Sequence, residues 1–372
     1  MAISRQEQHR RKARNAVAHV PHTWFSTGEL KPELRHEGWR QTVGVCLESS
    51  LARDEQSGDF DATLEGYLLD DIVFSRPQAA HQKFDRTSLR IAQDGVDHYM
   101  IEMFFTGFTE MRVHNRTVRN SPGQIVGFDL GDVLDSINSD FDLLCLFVPR
   151  TRLSPLLTRP DSLHGVIPDL NAGPGFLLAS YLQTLYRALP TLSAADAPTT
   201  ANALLQLIAA AFNRASGEPS ADTSSGRHHD TLLRAQLYIR ENLASRSLSA
   251  EDIALKMGIS RTALYQLFET IGGVASYVRE LRLRKCLSEI TALRHASTQI
   301  AEIAYRWGFD DPSVFSRAFR QRFGCAPNEA RALAYARAHQ DHAGRGFPNA
   351  ERYVGDRTYE EWISGLRINE PA

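Results

Sequence analysis

The chain has few cysteines, and their spacing does not suggest a shared site. The four cysteines are Cys46, Cys145, Cys286 and Cys325, and no two of them form a Cys-x-x-Cys pair. A structural zinc site or a disulfide framework requires closer or more regular spacing. The pattern therefore argues against both and indicates a reducing compartment.

Long apolar runs and nucleotide-binding motifs are also missing. The longest apolar run, residues 203–212, contains Gln206 and is too short to span a bilayer. The polar, basic residues 1–20 are not followed by the apolar segment of a secretory signal. The chain has no nucleophile triad, phosphate loop or dinucleotide fingerprint. We therefore expect a cytoplasmic protein without membrane contact, catalytic residues or cofactor.

Charge is distributed unevenly along the 372 residues, although the net charge is only −2. Residues 227–337 contain 17 Lys and Arg against 11 Asp and Glu, whereas the remainder contains 25 against 33. A basic C-terminal part on an acidic body is typical of a module that meets a polyanion such as nucleic acid. Chance clustering on a solvated surface is the alternative.

The region from residue 38 to residue 148 has the pattern of short strands. Turn signals such as Asp94-Gly95, Thr106-Gly107 and Ser121-Pro122-Gly123 interrupt runs rich in β-branched and aromatic residues. The segments 39–49 and 88–94 are included in this strand prediction. Strands at near-regular spacing indicate an antiparallel barrel or sandwich.

Helical periodicity follows in residues 150–215. Apolar residues recur every three to four positions in 175–189 and again in 201–212, and 152–157 is a further short candidate. Two amphipathic helices after a barrel could pack on it or on the same pair in a second subunit. Residues 216–229, SGEPSADTSSGRHH, contain almost no apolar side chain and predict a linker.

The C-terminal part contains an internal repeat. Ile253, Ala254 and Gly258 recur fifty residues later as Ile303, Ala304 and Gly308. Beyond this turn the offset is fifty-one, so the matching residues are Ser260, Leu264, Leu267 and Phe268 in one copy and Asp311, Phe315, Ala318 and Phe319 in the other. Each copy reads as helix, glycine turn, helix, which is the helix-turn-helix plan. A small helical bundle that binds nothing is the competing interpretation.

These residues resemble the paired helix-turn-helix module of the AraC/XylS family of transcription regulators. The similarity runs from about residue 230 to 331 and includes Gly308-Phe309, Phe315-Ser316-Arg317-Ala318-Phe319 and Arg322-Phe323-Gly324. Val314 and Ala330 depart from it, since an aromatic residue is usual at both positions. The β-rich N-terminal part is similar, in architecture only, to the cupin-like effector and dimerisation half of that family.

The resemblance implies an α+β protein in two halves. Residues 1–215 would form an antiparallel, cupin-like β-barrel with trailing helices, which binds an effector and dimerises. Residues 230–331 would form an all-α module of two helix-turn-helix motifs joined by a long helix. Residues 332–372 extend beyond the family module, and their aromatic side chains predict a docked helix at 358–366 of unknown role.

The same resemblance implies a sequence-specific transcription regulator, and the family's common mode makes activation the expectation. Its partners would be double-stranded DNA, RNA polymerase, a small-molecule effector and a second copy of the chain. A regulator whose N-terminal domain only dimerises remains an alternative. A metal-dependent cupin enzyme fused to a DNA-binding module is a further one, with His81, His98, Glu102 and His114 as candidate ligands.

Candidate DNA contacts lie on the second helix of each repeat. The first copy offers Arg261, Thr262, Tyr265 and Gln266, and the second offers Ser313, Val314, Arg317 and Arg320. The family motif places Thr262, Tyr265 and Gln266 at base-facing positions; Gln can bond adenine in a bidentate manner, and a Thr methyl can touch thymine. Arg317 could grip a guanine, a phosphate or an acidic side chain. Arg320, Arg284 and Lys285 are expected to contact phosphates or to remain solvated.

An effector site is less well specified. In the segment DHYMIEMFF, four apolar residues share one strand face and are expected to point into the barrel, either as ligand contacts or as plain core. They are Tyr99, Ile101, Met103 and Phe105.

Overall fold

The computed structural model describes residues 18–51, 60–113, 116–171, 173–217, 223–269, 272–292, 295–343 and 353–366. Most of the basic N-terminal stretch, His114 and part of the predicted linker lie outside these residues.

The N-terminal half consists of antiparallel strands, as the sequence predicts. The described strands are β1 His22–Ser26, β2 Glu48–Ser50, β3 Ala62–Leu69, β4 Ile72–Ala79, β5 Gln82–Arg86, β6 Tyr99–Thr106, β7 Thr109–Val113, β8 Arg116–Arg119, β9 Ile125–Asp129, β10 Leu134–Asn138 and β11 Phe141–Val148. They form a six-stranded sheet in the order β1-β3-β4-β11-β6-β9 and a five-stranded sheet in the order β2-β5-β10-β7-β8. The α+β class is confirmed, but the two sheets face each other as a sandwich instead of closing into a barrel.

The six-stranded sheet is buried on both faces. Along β11, Leu143, Cys145 and Phe147 point toward the five-stranded sheet, while Leu144 and Leu146 point the opposite way. Because successive side chains of a strand alternate between faces, burial of both faces produces the continuous apolar run seen in the sequence.

Five α-helices accompany these strands in the described residues. They are α1 Arg35–Val43, α2 Ser88–Asp94, α3 Arg150–Leu153, α4 Gly173–Ala188 and α5 Ala197–Gly217. The helices α4 and α5 confirm the predicted periodicity, and they pack together against the outer face of the six-stranded sheet through side chains such as Leu178, Leu182, Leu204 and Ile208. Packing on the sheet is therefore observed for both helices.

The segments 39–49 and 88–94 were predicted as strands, and that prediction is wrong for most of both. Residues 35–43 form α1 and residues 88–94 form α2. The side chain of Thr87 caps α2 by accepting from the amide of Arg90, and Gly95 ends the helix in a left-handed conformation at φ 61°. These two caps define a helix too short for its periodicity to be recognised.

The C-terminal half is helical. Its described helices are α6 Thr223–Glu241, α7 Ala250–Met257, α8 Arg261–Glu269, α9 Val274–Thr291, α10 Ile300–Arg306, α11 Pro312–Phe323, α12 Pro327–Ala343 and α13 Arg357–Gly365. The predicted linker at 216–229 thus contains the end of α5 and the start of α6, and residues 218–222 between them lie outside the described residues. The short helix predicted at 358–366 is confirmed as α13. None of the helices in the described part of the chain has the length and apolarity needed to cross a membrane.

Candidate nucleic-acid interface and effector cavity

The first helix-turn-helix consists of α7, a glycine turn and α8. Ser249 caps α7 through the amide of Asp252, and Gly258 ends it with φ 69°. Ser260 then caps α8 by accepting from the amide of Ala263 at 3.1 Å. Each residue performs the role that its type and position predict.

The second copy repeats this arrangement with different side chains. Gly308 provides the left-handed turn at φ 75°, and the carboxylate of Asp311 accepts from the amides of Ser313 and Val314 at the start of α11. Phe315 and Phe319 anchor the helix in the core. The predicted helix-turn-helix repeat is therefore present in the fold.

Arg282 on α9 joins the two copies. Its guanidinium donates to the carbonyl oxygens of Leu243 and Ser245 beside the first copy, at 3.1 and 2.8 Å, and to that of Gly308 in the second copy's turn, at 2.9 Å. A Cβ on residue 308 would lie 2.6 Å from this guanidinium. Glycine at 308 thus allows both the left-handed turn and the close approach of the arginine.

All eight predicted DNA-contact residues lie exposed on α8 and α11. Leu264 and Phe268 turn inward from α8, which leaves Thr262, Tyr265 and Gln266 on its outer side. Arg261 forms an exposed ion pair with Glu251 at 2.6 Å, so it would have to exchange that partner for a phosphate. On α11, Ser313, Val314, Arg317 and Arg320 are likewise exposed. The faces are available to DNA, and their role in reading it remains a prediction.

Arg284 was expected to contact phosphate or to remain solvated, and the structure places it elsewhere. It is mostly buried, and it donates to Asp129 at the end of β9 at 3.0 Å and to Asp132 at 2.7 Å. Arg322 of α11 reaches the same Asp132 at 3.3 Å, and Glu280 bridges the two arginines at 3.0 and 2.8 Å. These arginines therefore attach the helix-turn-helix module to the sheet domain.

The two aspartates of this cluster, Asp129 and Asp132, are held in the ionised form. Burial by itself would raise the pKa of Asp129, but Arg150 and Arg284 outweigh it and hold that pKa below its usual value. At Asp132, Arg284 and Arg322 oppose the effect of burial in the same way, and its pKa is also lowered. Both carboxylates consequently stay charged at neutral pH and pair with the arginines.

Asp161 forms a second polar contact between the two halves. Its Oδ2 accepts from Arg240 of α6 at 2.7 Å and from the hydroxyl of Tyr277 on α9 at 2.8 Å. Arg240 also donates to that hydroxyl at 2.8 Å. The sheet domain thus holds α9 near its start as well as near its middle.

The helix α2 supplies the apolar part of this interface. Its Ile91 and Ala92 are buried in one cluster with Leu287 of α9 and with Phe319 and Phe323 of α11. The strand prediction for residues 88–94 concealed this role. The sequence did contain a signal for this helix, namely two adjacent apolar residues between the N-cap residue Thr87 and the helix-ending Gly95.

A small cavity of about 40 Å³ lies between the two sheets. Its lining includes Trp39, Met100, Glu102, Cys145 and Phe147, together with Tyr359 and Ile363 of α13. Met100 and Glu102 belong to the face of β6 that points toward the five-stranded sheet.

The four residues predicted as ligand contacts lie on the other face of β6. Tyr99, Ile101 and Met103 are buried against α4 and α5, and Phe105 packs on the same cluster. The prediction that they share one apolar face holds, but that face does not line the inter-sheet cavity. Both faces of β6 are buried, so apolarity alone does not identify the face that points inward.

Glu102 is a buried carboxylic acid in the lining of this cavity. Burial raises its pKa to about 8, so the carboxyl is protonated at neutral pH. Among the residues that the structure describes, no three His, Cys, Asp or Glu side chains gather closely enough to hold a metal ion. This includes His81, His98 and Glu102, which were candidate ligands.

We expect Glu102→Gln to make the protein more stable than the wild type at pH 8, by a few kcal/mol. In the unfolded chain a Glu loses its proton near pH 4.3, whereas the folded carboxyl keeps it up to about pH 8. Wild-type stability must therefore decline between these values, and the glutamine variant lacks that decline. Urea unfolding at pH 4 and pH 8 measures it, with the exposed Glu110→Gln as control. Parallel pH dependence in wild type and Glu102→Gln would contradict the assignment.

Comparison with known proteins agrees with this architecture. Residues 39–213 match the model of the AraC-binding-like domain, and residues 238–332 match that of a helix-turn-helix domain. The transcriptional activator NphR of Rhodococcus sp is 24% identical over 332 residues, which are 87% of this chain and 96% of that protein. The Transposon Tn10 TetD protein of Escherichia coli is 34% identical over 102 residues, which are 27% of this chain and 72% of that protein.

Two further relatives cover different extents of the chain. The transcriptional activator RhrA of Rhizobium meliloti is 38% identical over 109 residues, 29% of this chain and 34% of that protein. The crystal structure of the AraC-like transcriptional activator CuxR superposes with a TM-score of 0.50 at 24% identity, over 71% of this chain and 94% of that one. The structural similarity to CuxR shows that the two chains share a fold.

Two exposed helix-turn-helix units attached to a β-sandwich domain with an internal cavity define a DNA-binding transcription regulator. The chain belongs to the AraC family of such regulators.

Proposed function

We propose that this protein is a transcription activator that responds to a small-molecule effector bound between the two sheets. The proposal rests on the pair of helix-turn-helix units, which Arg282 links to each other through hydrogen bonds. Asp129, Asp132 and Asp161 connect this pair to the domain that contains the cavity. The relatives NphR and RhrA are both described as transcriptional activators, which supports the sign of regulation.

In the proposed division of the chain, residues 1–215 sense the effector, residues 230–331 bind DNA, and residues 332–372 form an extension whose described residues 353–366 pack on the sensing domain. We propose a homodimer, contact with RNA polymerase, action in the cytoplasm and no catalytic step. The helix α4 exposes Phe176 and Leu177, which would be available to a second subunit.

Selection of duplexes from a random DNA library tests the DNA-binding part. We expect enrichment of a site with two short motifs about one helical turn, roughly 10 base pairs, apart, because each half-site is read by one helix. Enrichment of no sequence above background would refute specific binding.

We expect Gln266→Ala to lower affinity for the selected site by about 10- to 100-fold, because a bidentate contact to adenine contributes about 1–3 kcal/mol. Affinity for random duplex should hardly change. Fluorescence anisotropy on both duplexes at one salt concentration measures this. Gln206→Ala, at an exposed position of α5, is the matched control, and equal losses on the two duplexes would eliminate the base-reading role.

Arg320 lies exposed in the last turn of α11 and is proposed as a phosphate contact. Replacing it with alanine is expected to reduce the slope of log affinity against log salt by about one unit, since one fewer phosphate is neutralised. Arg187→Ala on α4 should leave the slope unchanged. An unaltered slope for Arg320→Ala would show that this side chain remains solvated in the complex.

A further inference from the structure

The C-terminal helix α13 is part of the core of the sheet domain. Tyr359, Ile363 and Leu366 are only 3%, 0% and 5% exposed, and they cluster with Trp39 and Phe147. The chain therefore passes through the DNA-binding module and then returns its last described helix to the inter-sheet space. No family resemblance predicted this arrangement.

The seat of α13 combines apolar packing with specific polar contacts. The hydroxyl of Tyr359 lies 2.9 Å from Ser75 Oγ, a fully buried partner on β4. At the start of the helix, Asp356 accepts from Thr23 at 2.8 Å, and its amide donates to Thr42 at 2.9 Å. The phenol ring of Tyr359 is thus closely packed in the sheet domain, and its hydroxyl has a hydrogen-bonding partner in Ser75.

The cavity beside this ring is too small for an effector while α13 is seated. Its volume of about 40 Å³ suits a few water molecules, whereas drug-sized ligands occupy pockets of roughly 300–1,000 Å³. Tyr359 and Ile363 form part of its wall. Removal of these two side chains would join their volume to the cavity, which Glu102 already lines, and would open it toward Ser75.

We propose that α13 is a displaceable occupant of the effector site, and that the effector is a small uncharged aromatic compound whose polar group takes the place of the Tyr359 hydroxyl. This inference rests on the proposed function, because it specifies how the same site is regulated. The aromatic class follows from the ring that now fills the position. The lining of the cavity contains no Lys, Arg or His to pair with an anion, and the carboxyl of Glu102 is protonated at neutral pH and so offers no charge to a cation.

The position of α13 in the chain connects this exchange to DNA binding. The DNA-binding module ends within α12, whose last residue is Ala343, and α13 begins 14 positions later at Arg357. A seated α13 therefore tethers the C-terminal end of the module to the sheet domain, in addition to the contacts at Asp129, Asp132 and Asp161. Effector binding would release this tether and leave the other contacts in place.

The first test removes the occupant and uses p-cresol, which is the Tyr359 side chain as a free molecule. A chain ending at residue 352 is expected to bind p-cresol at least 10-fold more tightly than the full chain, by isothermal titration. Toluene, which lacks the hydroxyl, should bind more weakly, and 4-methylbenzoate, an anion, should show no gain. No gain for p-cresol in a shortened chain that still melts cooperatively would overturn the inference.

The second test keeps the full chain and locks α13 in place. A Cβ on residue 355 would lie 2.8 Å from the Cβ of Gln41 on α1 and 2.9 Å from the backbone nitrogen of Thr42, so the segment before α13 must move by about 1 Å to reach disulfide geometry. In a Gln41→Cys/Gly355→Cys variant, oxidation should weaken p-cresol binding at least 10-fold, and reduction should restore it. The four natural cysteines are buried, so the new pair should oxidise selectively.

DNA binding of both variants, measured on the selected duplex, separates the two levels of the argument. If the duplex is bound but p-cresol affinity is the same in the oxidised and reduced forms, α13 does not compete with the ligand and the inference is wrong. If no variant, nor the wild type, binds any selected duplex, the proposed function fails first.

Discussion

Replacing Arg86 with methionine is expected to lower the free energy of unfolding by about 3 kcal/mol, because the buried Asp94 carboxylate loses two short hydrogen bonds and keeps the longer contact to Arg90, at 3.4 Å. Arg86 and Asp94 have fully buried side chains, and two hydrogen bonds of 2.7 and 2.8 Å join them. Methionine fills a similar volume, so the loss reports the charge and the hydrogen bonds more than a cavity.

The same arginine also organises the backbone around α2. Its guanidinium donates to the carbonyl oxygens of Cys46, Val96 and Leu130 at 2.6 to 2.7 Å. These contacts hold the end of α2, the strand that follows it and the segment that leads to Asp132. Loss of Arg86 should therefore disturb both the sheet domain and the surface on which the helix-turn-helix module packs.

Urea unfolding followed by circular dichroism measures the effect of Arg86→Met. Arg112→Met on β7 is the control, since that arginine is exposed and its replacement should change stability by less than about 0.5 kcal/mol. Equal effects of the two substitutions would mean that the buried pair does not stabilise the fold in the way its contacts indicate.

Arg284→Met is expected to weaken the attachment between the two halves, and to destabilise the intact chain by about 3 kcal/mol. The substitution leaves Asp129 with Arg150 as its remaining guanidinium partner and Asp132 with Arg322. Since Arg284 contacts both carboxylates directly, its loss should increase hydrogen exchange at the contact surface, in α2 and along α9.

Lys285 provides a matched control for this experiment. It follows Arg284 on the same helix and is exposed, with its ammonium 6.0 Å from the Trp307 ring. Lys285→Met should change stability by less than about 1 kcal/mol. Hydrogen exchange by mass spectrometry on both variants distinguishes local opening of the interface from a general loss of stability. An unchanged exchange rate at α2 in Arg284→Met would argue against a coupling role.

The contrast between Arg284 and Lys285 illustrates a limit of sequence reasoning. Both are basic residues on the predicted joining helix, and periodicity treats them alike as candidates for phosphate contact. Whether each of them is buried or exposed depends on its position relative to Asp129 and Asp132, which lie about 150 positions away in the chain. Arg284 is buried beside those carboxylates and attaches the helix-turn-helix module to the sheet domain. No local sequence pattern contains that information.

The strand β6 shows the same limit within one element. Alternation correctly grouped Tyr99, Ile101 and Met103 on one face. Which face lined the cavity depended on where α4 and α5 packed, because both faces of a central strand are apolar. Glu102 lies on the cavity face, and the sequence showed it only as a candidate metal ligand.

The sequence by itself determined the helix-turn-helix pair, because its signals are local. Gly258 and Gly308 mark the turns, Ser260 and Asp311 cap the following helices, and the apolar residues recur at a helical period. Tertiary structure alone decided how α2, Asp129 and Asp132 hold that pair, and that α13 returns to the inter-sheet core. Those contacts join residues far apart in the chain, and they form only when the two halves pack, so their specificity comes from burial and charge pairing and not from any single stretch of sequence.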